Sequence, residues 1–436
     1  MVLLKSFRNI FVIPELRRKL LFTLGVLIVY RLGSIIPIIG VNIAALAEKL
    51  KQATSLGILF NYLDLMSGAS FSKCTIFALG IQPYITASIA MQLLVLSIPS
   101  LEEKQKDEHG RKEINQYTRY LTLVLSILYS ITYVSVLEAT GLALQPGIWF
   151  TLMFVASMTA GAMFVMWLGE QISVMGIGNG SSMLIFAGIV ARMPQLIMQT
   201  VQYVQLGTTD IISVALVAAL FILIVACIVF LERGERKIPV QYARRVIGNR
   251  VYGAQGTYIP FKINPVGVMP VIFAGSALQF PMIISSFLAA RFESLQFLNE
   301  AFNRNGALLN TLQFVLIIFF TFLYTALVFN PDKLSEDIKK NGGFIPGIRP
   351  GKKTAQFFDY ILNRIGLVGA IYLGVLAIIP NIVHAFVPVP FLMGGTSLLI
   401  MVGVALDTSG QMETYLIEHR YEGFLATGRI RGRWLR

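Results

Sequence analysis

The sequence predicts an all-α polytopic membrane protein, with ten transmembrane helices in two inverted five-helix halves around a central pore. Three observations carry this: the composition, the spacing of apolar runs and an internal repeat. Of 436 residues, 55% are hydrophobic and 14% are charged, and the mean hydropathy is +0.69. A soluble chain usually carries about 25% charged residues. The apolar excess extends along the whole chain, which favours an integral membrane protein over a soluble one with a very apolar core. The two cysteines, Cys74 and Cys227, both sit in apolar runs and read as small buried hydrophobes, so no disulfide framework is implied.

Runs of roughly 17–25 apolar residues are long enough to cross a bilayer as helices. Ten such runs lie at 20–39, 71–98, 117–138, 149–169, 182–202, 212–231, 266–290, 311–330, 365–385 and 387–406. The first is too long for a removable signal peptide, contains Arg31 and is followed by no small-residue cleavage site. The second, "FALGIQPYITASI" at its centre, carries a glutamine and a proline that an anchoring helix does not need. The fifth is interrupted by Arg192 and Pro194, and "HAFVPVP" splits the last two.

Lys and Arg set the orientation. With the N-terminus in the cytoplasm, the cytoplasmic segments hold 29 of the 36 basic residues. Both termini are then cytoplasmic, and most of the net charge of +13 is explained without nucleic acid. Two cytoplasmic loops are larger than topology requires. In 232–265, "KIPVQYA" and "TYIPFKI" alternate in polarity around a Gly/Asn-rich turn, which predicts a projecting β-hairpin. The segment 331–364 contains "KKNGGFIPGIRPGKK" and reads as a basic loop shaped by Gly and Pro. Both loops are either solvated connectors or a docking surface suited to a large acidic partner.

The repeat pairs spans five apart. An odd number of spans per copy makes the copies run in opposite directions, as halves 1–211 and 212–436. "GIQPYITAS" (80–88) in span 2 matches "GVMPVIFAGS" (267–276) in span 7. "GSSMLIFAG" (180–188) in span 5 matches "GTSLLIMVG" (395–403) in span 10. Interrupted helices at equivalent places in two halves point to a central pathway.

Few ionisable groups lie in the spans. Arg31, Lys73 and Arg192 fall toward external span ends, while Glu138 and Glu170 flank spans. A charge at mid-bilayer costs roughly 2.5–3.5 kcal/mol or more and is kept where it works, so an ion-coupled pump is disfavoured. His109, His384 and His419 are far apart, and no H-E-x-x-H is present. "GIGNGSS" follows no strand and reads as a tight turn and cap; "GIRPGKKT" lacks nucleotide-loop spacing. No cofactor is implied. The repeat-related positions that remain are aliphatic: Ile81, Ile85, Ile185, Ile272 and Ile400. Aliphatic side chains meeting at a narrow point exclude water and ions by dewetting. A wide, flexible polypeptide suits such a constriction better than a small solute. A secondary transporter of a small solute and an intramembrane enzyme are the alternatives.

The stretches "FALGIQPYITASI", "GRKEINQYTRY", "GIGNGSSMLIFAGI", "ERGERKIPVQYARR", "NPVGVMPVIFA", "GGFIPGIRPG" and "GGTSLLI" resemble the SecY family of protein-conducting channels, in order and over essentially the whole chain. The resemblance implies a pore ring at Ile81, Ile85, Ile185, Ile272 and Ile400. A sixth ring position falls on Ser181, where related channels usually carry an aliphatic residue. It implies a plug helix within 57–70, with Leu59, Phe60, Tyr62, Leu63, Leu65 and Met66. It also implies a lateral gate between spans 2–3 and 7–8, with Gln82, Pro83, Thr86, Ser276 and Gln279 as soft or polar points. The partners it implies are SecE-like and SecG-like small membrane subunits, the motor ATPase SecA, the ribosome, signal sequences and nascent polypeptides, and membrane lipid. Arg244, Arg245 and Arg349 would serve docking. The implied setting is a bacterial cytoplasmic membrane, and the channel itself is no enzyme.

Overall fold

The computed structural model describes residues 13–42, 64, 67–68, 70–139, 141–207, 210–242, 245–247, 250–252, 257–291, 306–386 and 394–427. Contacts group the chain into two compact units, Met1–Met193 with Val404–Arg436, and Pro194–Gly403.

Twelve helices occur among the described residues. They are α1 (Pro14–Gly33), α2 (Gln82–Ser97), α3 (Pro99–Lys106), α4 (Glu108–Ala139), α5 (Ile148–Met175), α6 (Gly180–Gln205), α7 (Ile211–Arg233), α8 (Met269–Arg291), α9 (Ala307–Val328), α10 (Pro331–Lys340), α11 (Lys352–Phe386) and α12 (Gly395–Thr427). Setting aside the short α3 and α10, each overlaps one expected span. Five are long and apolar enough to cross a membrane unaided, and α2 with α3 forms a sixth, bent by 105°. Charged first turns in α1 and α4, and the polar second half of α12, dilute the apolar stretches of those helices.

The second span differs from expectation. Its helix begins only at Gln82, with Pro83 in the first turn, where a missing N–H removes nothing from the ladder. Residues 70–81 are a chain of turns, with Cys74 and Gly80 at positive φ. Hydropathy cannot separate such a segment from a helix, because its side chains are equally apolar. Irregular backbone survives at membrane depth only where protein satisfies it. Here Ile38 N donates to Cys74 O, Ile76 N to Ile36 O, and Tyr133 Oη to Phe71 O at 2.8 Å. Since that hydroxyl proton is used, the Cys74 thiol donates to Tyr133 Oη at 2.8 Å. Phe71 stacks on Tyr133 at 4.3 Å, within a core that includes Leu79, Leu137, Phe154 and Met158. A Cβ on Gly161 of α5 would collide with the Ile76 carbonyl oxygen, so the turns lie directly on α5. The expected interruption of the fifth span does not occur: Pro194 lies inside the continuous helix α6.

In the second unit the expected hairpin forms. Strand β1 (Glu235–Tyr242) pairs antiparallel with β4 (Thr257–Lys262), Ile238 opposite Ile259, and β2 (Arg245–Ile247) pairs with β3 (Arg250–Tyr252). The 331–364 segment is not a plain loop. It holds α10, capped by Asn330 Oδ1 accepting from Lys333 N at 3.1 Å, and β5 (Gly343–Phe344), which joins the sheet in the order β4-β1-β5. Helix α11 starts at Lys352, earlier than hydropathy suggests. Ile238, Val240, Phe261, Ile338, Ile345, Phe358, Ile361 and Leu362 share one core, so both extramembrane segments fold as a single body.

Candidate pore ring and gate

The repeat is visible in the backbone. Gly80 has φ +55° and Gly267 has φ +67°, left-handed values that favour glycine. Two residues after each, a helix begins, at Gln82 and at Met269, and a proline follows one residue later. Ile85 N donates to Ile81 O at 3.1 Å, and Ile272 N donates to Val268 O at 3.2 Å. Each of these helix starts therefore sets an isoleucine in its opening turn. The second sequence pair behaves alike: α6 starts at Gly180 and α12 at Gly395. A Cβ at Gly180 would collide with the Gly169 carbonyl oxygen of α5, and one at Gly395 with the Ala377 carbonyl oxygen of α11. Both glycines let a new helix start against the backbone of the preceding one.

All five isoleucines of the expected ring are buried, from 1% exposed at Ile185 and Ile400 to 6% at Ile272. In the first unit, Ile81 Cδ1 lies 3.1 Å from where a Cβ on Gly169 would sit, with Leu184 Cδ1 at 3.4 Å and Ser181 N at 3.7 Å. Ile81 and the start of α6 thus converge on one small residue of α5. Ser181 is half-buried, and its hydroxyl donates to Asn179 Oδ1 at 2.6 Å. That carboxamide oxygen also accepts from Ser181 N at 3.1 Å, so Asn179 caps α6. The serine hydroxyl therefore serves the helix cap. The turn before it is held by Thr23 Oγ1, accepting from Ile177 N at 3.1 Å, and by Gln411 Oε1, accepting from Gly178 N at 2.8 Å. The reading of "GIGNGSS" as turn and cap matches this geometry. In the second unit, a Cβ at Gly403 would collide with Val268 Cγ1, so α12 rests on the start of α8 one turn beyond Ile400.

Among the gate residues, Gln82, Pro83 and Thr86 are buried on α2, and Ser276 and Gln279 on α8. Thr86 Oγ1 donates to Gln82 O at 3.1 Å, and Ser276 Oγ to Ile272 O at 3.0 Å, so both hydroxyls fold back on their own helix. Gln279 Nε2 is buried with no hydrogen-bond partner among the described residues. The proposed plug residues Leu59, Phe60, Tyr62, Leu63, Leu65 and Met66, and the docking residue Arg244, lie outside the described residues. Asp64, Ser67 and Gly68, in the same 57–70 stretch, are described. Asp64 was not singled out by the sequence; the only hint was a lone acid in the apolar run "NYLDLM".

On the extramembrane body, Arg245 opens strand β2, while Arg349 is exposed. Arg349 borders an open groove of about 460 Å³ with Gly347, Ile348, Lys353, Gln356, Phe357 and Tyr360. The backbone beneath it is fixed by Thr354 Oγ1, donating to Arg349 O at 3.0 Å, and by Ser335 Oγ, donating to Gly351 O at 2.8 Å. Glu235 holds the Lys237 ammonium above its ordinary pKa by a hydrogen bond, keeping it charged on the hairpin.

Buried aliphatic residues lie near the starts of the repeat-related helices, in an all-helical polytopic fold. Solved structures share it. A protein-conducting channel matches with a TM-score of 0.63 and 18% identity over 93% of this chain and 94% of that one. Sec61 in the canine ribosome–channel complex from the endoplasmic reticulum matches at 0.59 with 17% identity over the same shares. The SecY family model matches residues 75–409. The protein translocase subunit SecY of Escherichia coli K12 is 44% identical over 425 residues, 96% of each chain. The chain belongs to the SecY family.

Proposed function

We propose that this chain is the central pore-forming subunit of a Sec protein translocase. It passes unfolded polypeptides across the membrane and releases transmembrane segments sideways into lipid. The observation that carries this is the near full-length likeness to translocase subunits, and those relatives give no support to a small-solute transporter. The two halves, 1–211 and 212–436, contribute Ile81, Ile85, Ser181, Ile185, Ile272 and Ile400 to one constriction. A plug within 57–70 closes it on the external side. Gln82, Pro83, Thr86, Ser276 and Gln279 lie on the helices that part at the lateral gate. Signal sequences enter there, at a seam whose polar groups distinguish it from a purely apolar one.

The chain hydrolyses nothing itself and takes its drive from a SecA-type ATPase or from the ribosome. Arg244, Arg245 and Arg349 form the basic docking face, and SecE-like and SecG-like subunits complete the complex. The setting is a bacterial cytoplasmic membrane with both termini in the cytoplasm, which the bias of Lys and Arg supports. The test is precursor translocation into proteoliposomes holding the complex and the motor. Arg349→Glu is expected to abolish ATP-driven translocation while the protein still inserts and assembles. Undiminished translocation would remove the docking assignment.

A further inference from the structure

The passage from the hairpin into α8 is built around one buried carboxamide. Asn264 is 2% exposed and lies between β4 and α8. Its Nδ2 donates to Glu232 Oε1 at 2.7 Å and to the Gly267 carbonyl oxygen at 2.9 Å. Both amide protons are thus used. Glu232, 7% exposed, sits in the last turn of α7, and Gly267 is the left-handed residue just ahead of α8. The backbone around the carboxamide is pinned as well. Ile263 N donates to Gly234 O at 2.9 Å, which carries the β1–β4 pairing one step further, to the end of α7. A Cβ on Gly234 would collide with Ile263 Cδ1, and one on Gly369 of α11 would sit 2.7 Å from the Ile263 carbonyl oxygen.

The first unit fills the equivalent place with apolar groups. Phe77 stands three residues ahead of Gly80, as Asn264 stands three ahead of Gly267. Its ring stacks at 6.0 Å on Tyr30, in the last turn of α1, and a Cβ on Gly33 would collide with it. In each unit the end of one span is therefore tied to the turn that starts the next repeat-related helix. Phe77 shows that packing alone can make this tie. The carboxamide makes it at a cost, because Asn264 Oδ1 is buried with no hydrogen-bond partner among the described residues. What its two donated bonds add is direction: they fix the Gly267 carbonyl, and with it the turn from which Val268 and Ile272 follow. Val268 O accepts from Ile272 N at 3.2 Å, and the Val268 side chain lies where a Cβ on Gly403 would be, one turn from Ile400.

We propose that Asn264, held by Glu232, is a positioning residue for the constriction. It fixes the turn at Gly267 and so the place at which α8 carries Ile272. The inference rests on the ring reading and adds two groups, outside the ring, that set its geometry in the second unit. Losing the carboxamide loosens the seal without altering any ring side chain.

The test is resting ion conductance of the complete complex in planar bilayers, with the thermal unfolding midpoint measured on the same preparations. Asn264→Ala is expected to raise conductance about tenfold, the population shift that goes with losing a charge-assisted hydrogen bond. Glu232→Ala leaves Asn264 without that acceptor and is expected to leak alike. The double change is expected to leak no more than either single one, because the two groups act as a unit. Glu232→Gln keeps an acceptor and is expected to conduct like the parent. Ile272→Ser is the reference for a ring that leaks. If it leaks while Asn264→Ala conducts at background, with or without a lowered midpoint, Asn264 merely stabilises the fold and the proposal falls while the ring stands. Leaks that multiply in the double change, or a Glu232→Gln channel as leaky as Glu232→Ala, also overturn it. The two Glu232 variants decide the matter if Asn264→Ala does not assemble. Background conductance in Ile272→Ser removes the ring reading, and the proposal with it.

Discussion

A Cβ on Gly403 would run into the side chain of Val268; its repeat partner Gly188 instead meets the turn at Gly68, where an added Cβ would sit 2.8 Å from the Gly188 Cα. Everything around the two glycines corresponds. Each lies eight residues after the glycine that starts its helix, and three after a buried isoleucine. In the second unit the helix start at 268 packs directly on α12. In the first, the end of the 57–70 segment lies against α6 instead. A local motif thus fixes how a helix begins, while an added segment decides what the helix faces.

The largest effects belong to what the two units share. Gly180→Val and Gly395→Val each drive a side chain into a backbone carbonyl that cannot turn away. Each is expected to cost about 3 kcal/mol, the upper part of the range for overpacking. Thermal unfolding of the purified complex should show similar losses for both; a loss at only one would confine the equivalence to sequence. Smaller effects should separate the units. Gly68→Ala combines a clash with Gly188 and a left-handed φ, and the strain alone is worth about 1–2 kcal/mol. Gly403→Ala meets only the Val268 side chain and no backbone. The first is expected to raise resting conductance and the second to leave it unchanged. Equal conductances would mean that the 57–70 segment does not close the channel.

Much of this was legible in the sequence. Ten apolar runs located ten helices, because burial in lipid demands length and hydropathy together. Alternation in "KIPVQYA" located β1, and the shared Gly and Pro of "GIQPYITAS" and "GVMPVIFAGS" located the repeat that the two helix starts display. What failed has physical reasons. Residues 71–81 are as apolar as a helix, yet their backbone is satisfied by neighbouring elements, which one-dimensional hydropathy does not register. Residues 331–340 form a helix because their apolar side chains join a core completed by the distant hairpin. Arg192 read as a charge toward a span end and Asp64 was not singled out; only the fold brings them within 3.1 Å.

The central claim is that Ile81, Ile85, Ile185, Ile272 and Ile400 form the seal around a translocating chain. Replacing all five with serine and recording ion conductance, alongside precursor translocation in the same reconstituted complex, tests it most directly. The predicted result is a channel that leaks ions at rest and still passes the precursor. Conductance at the background of the unaltered complex would contradict it.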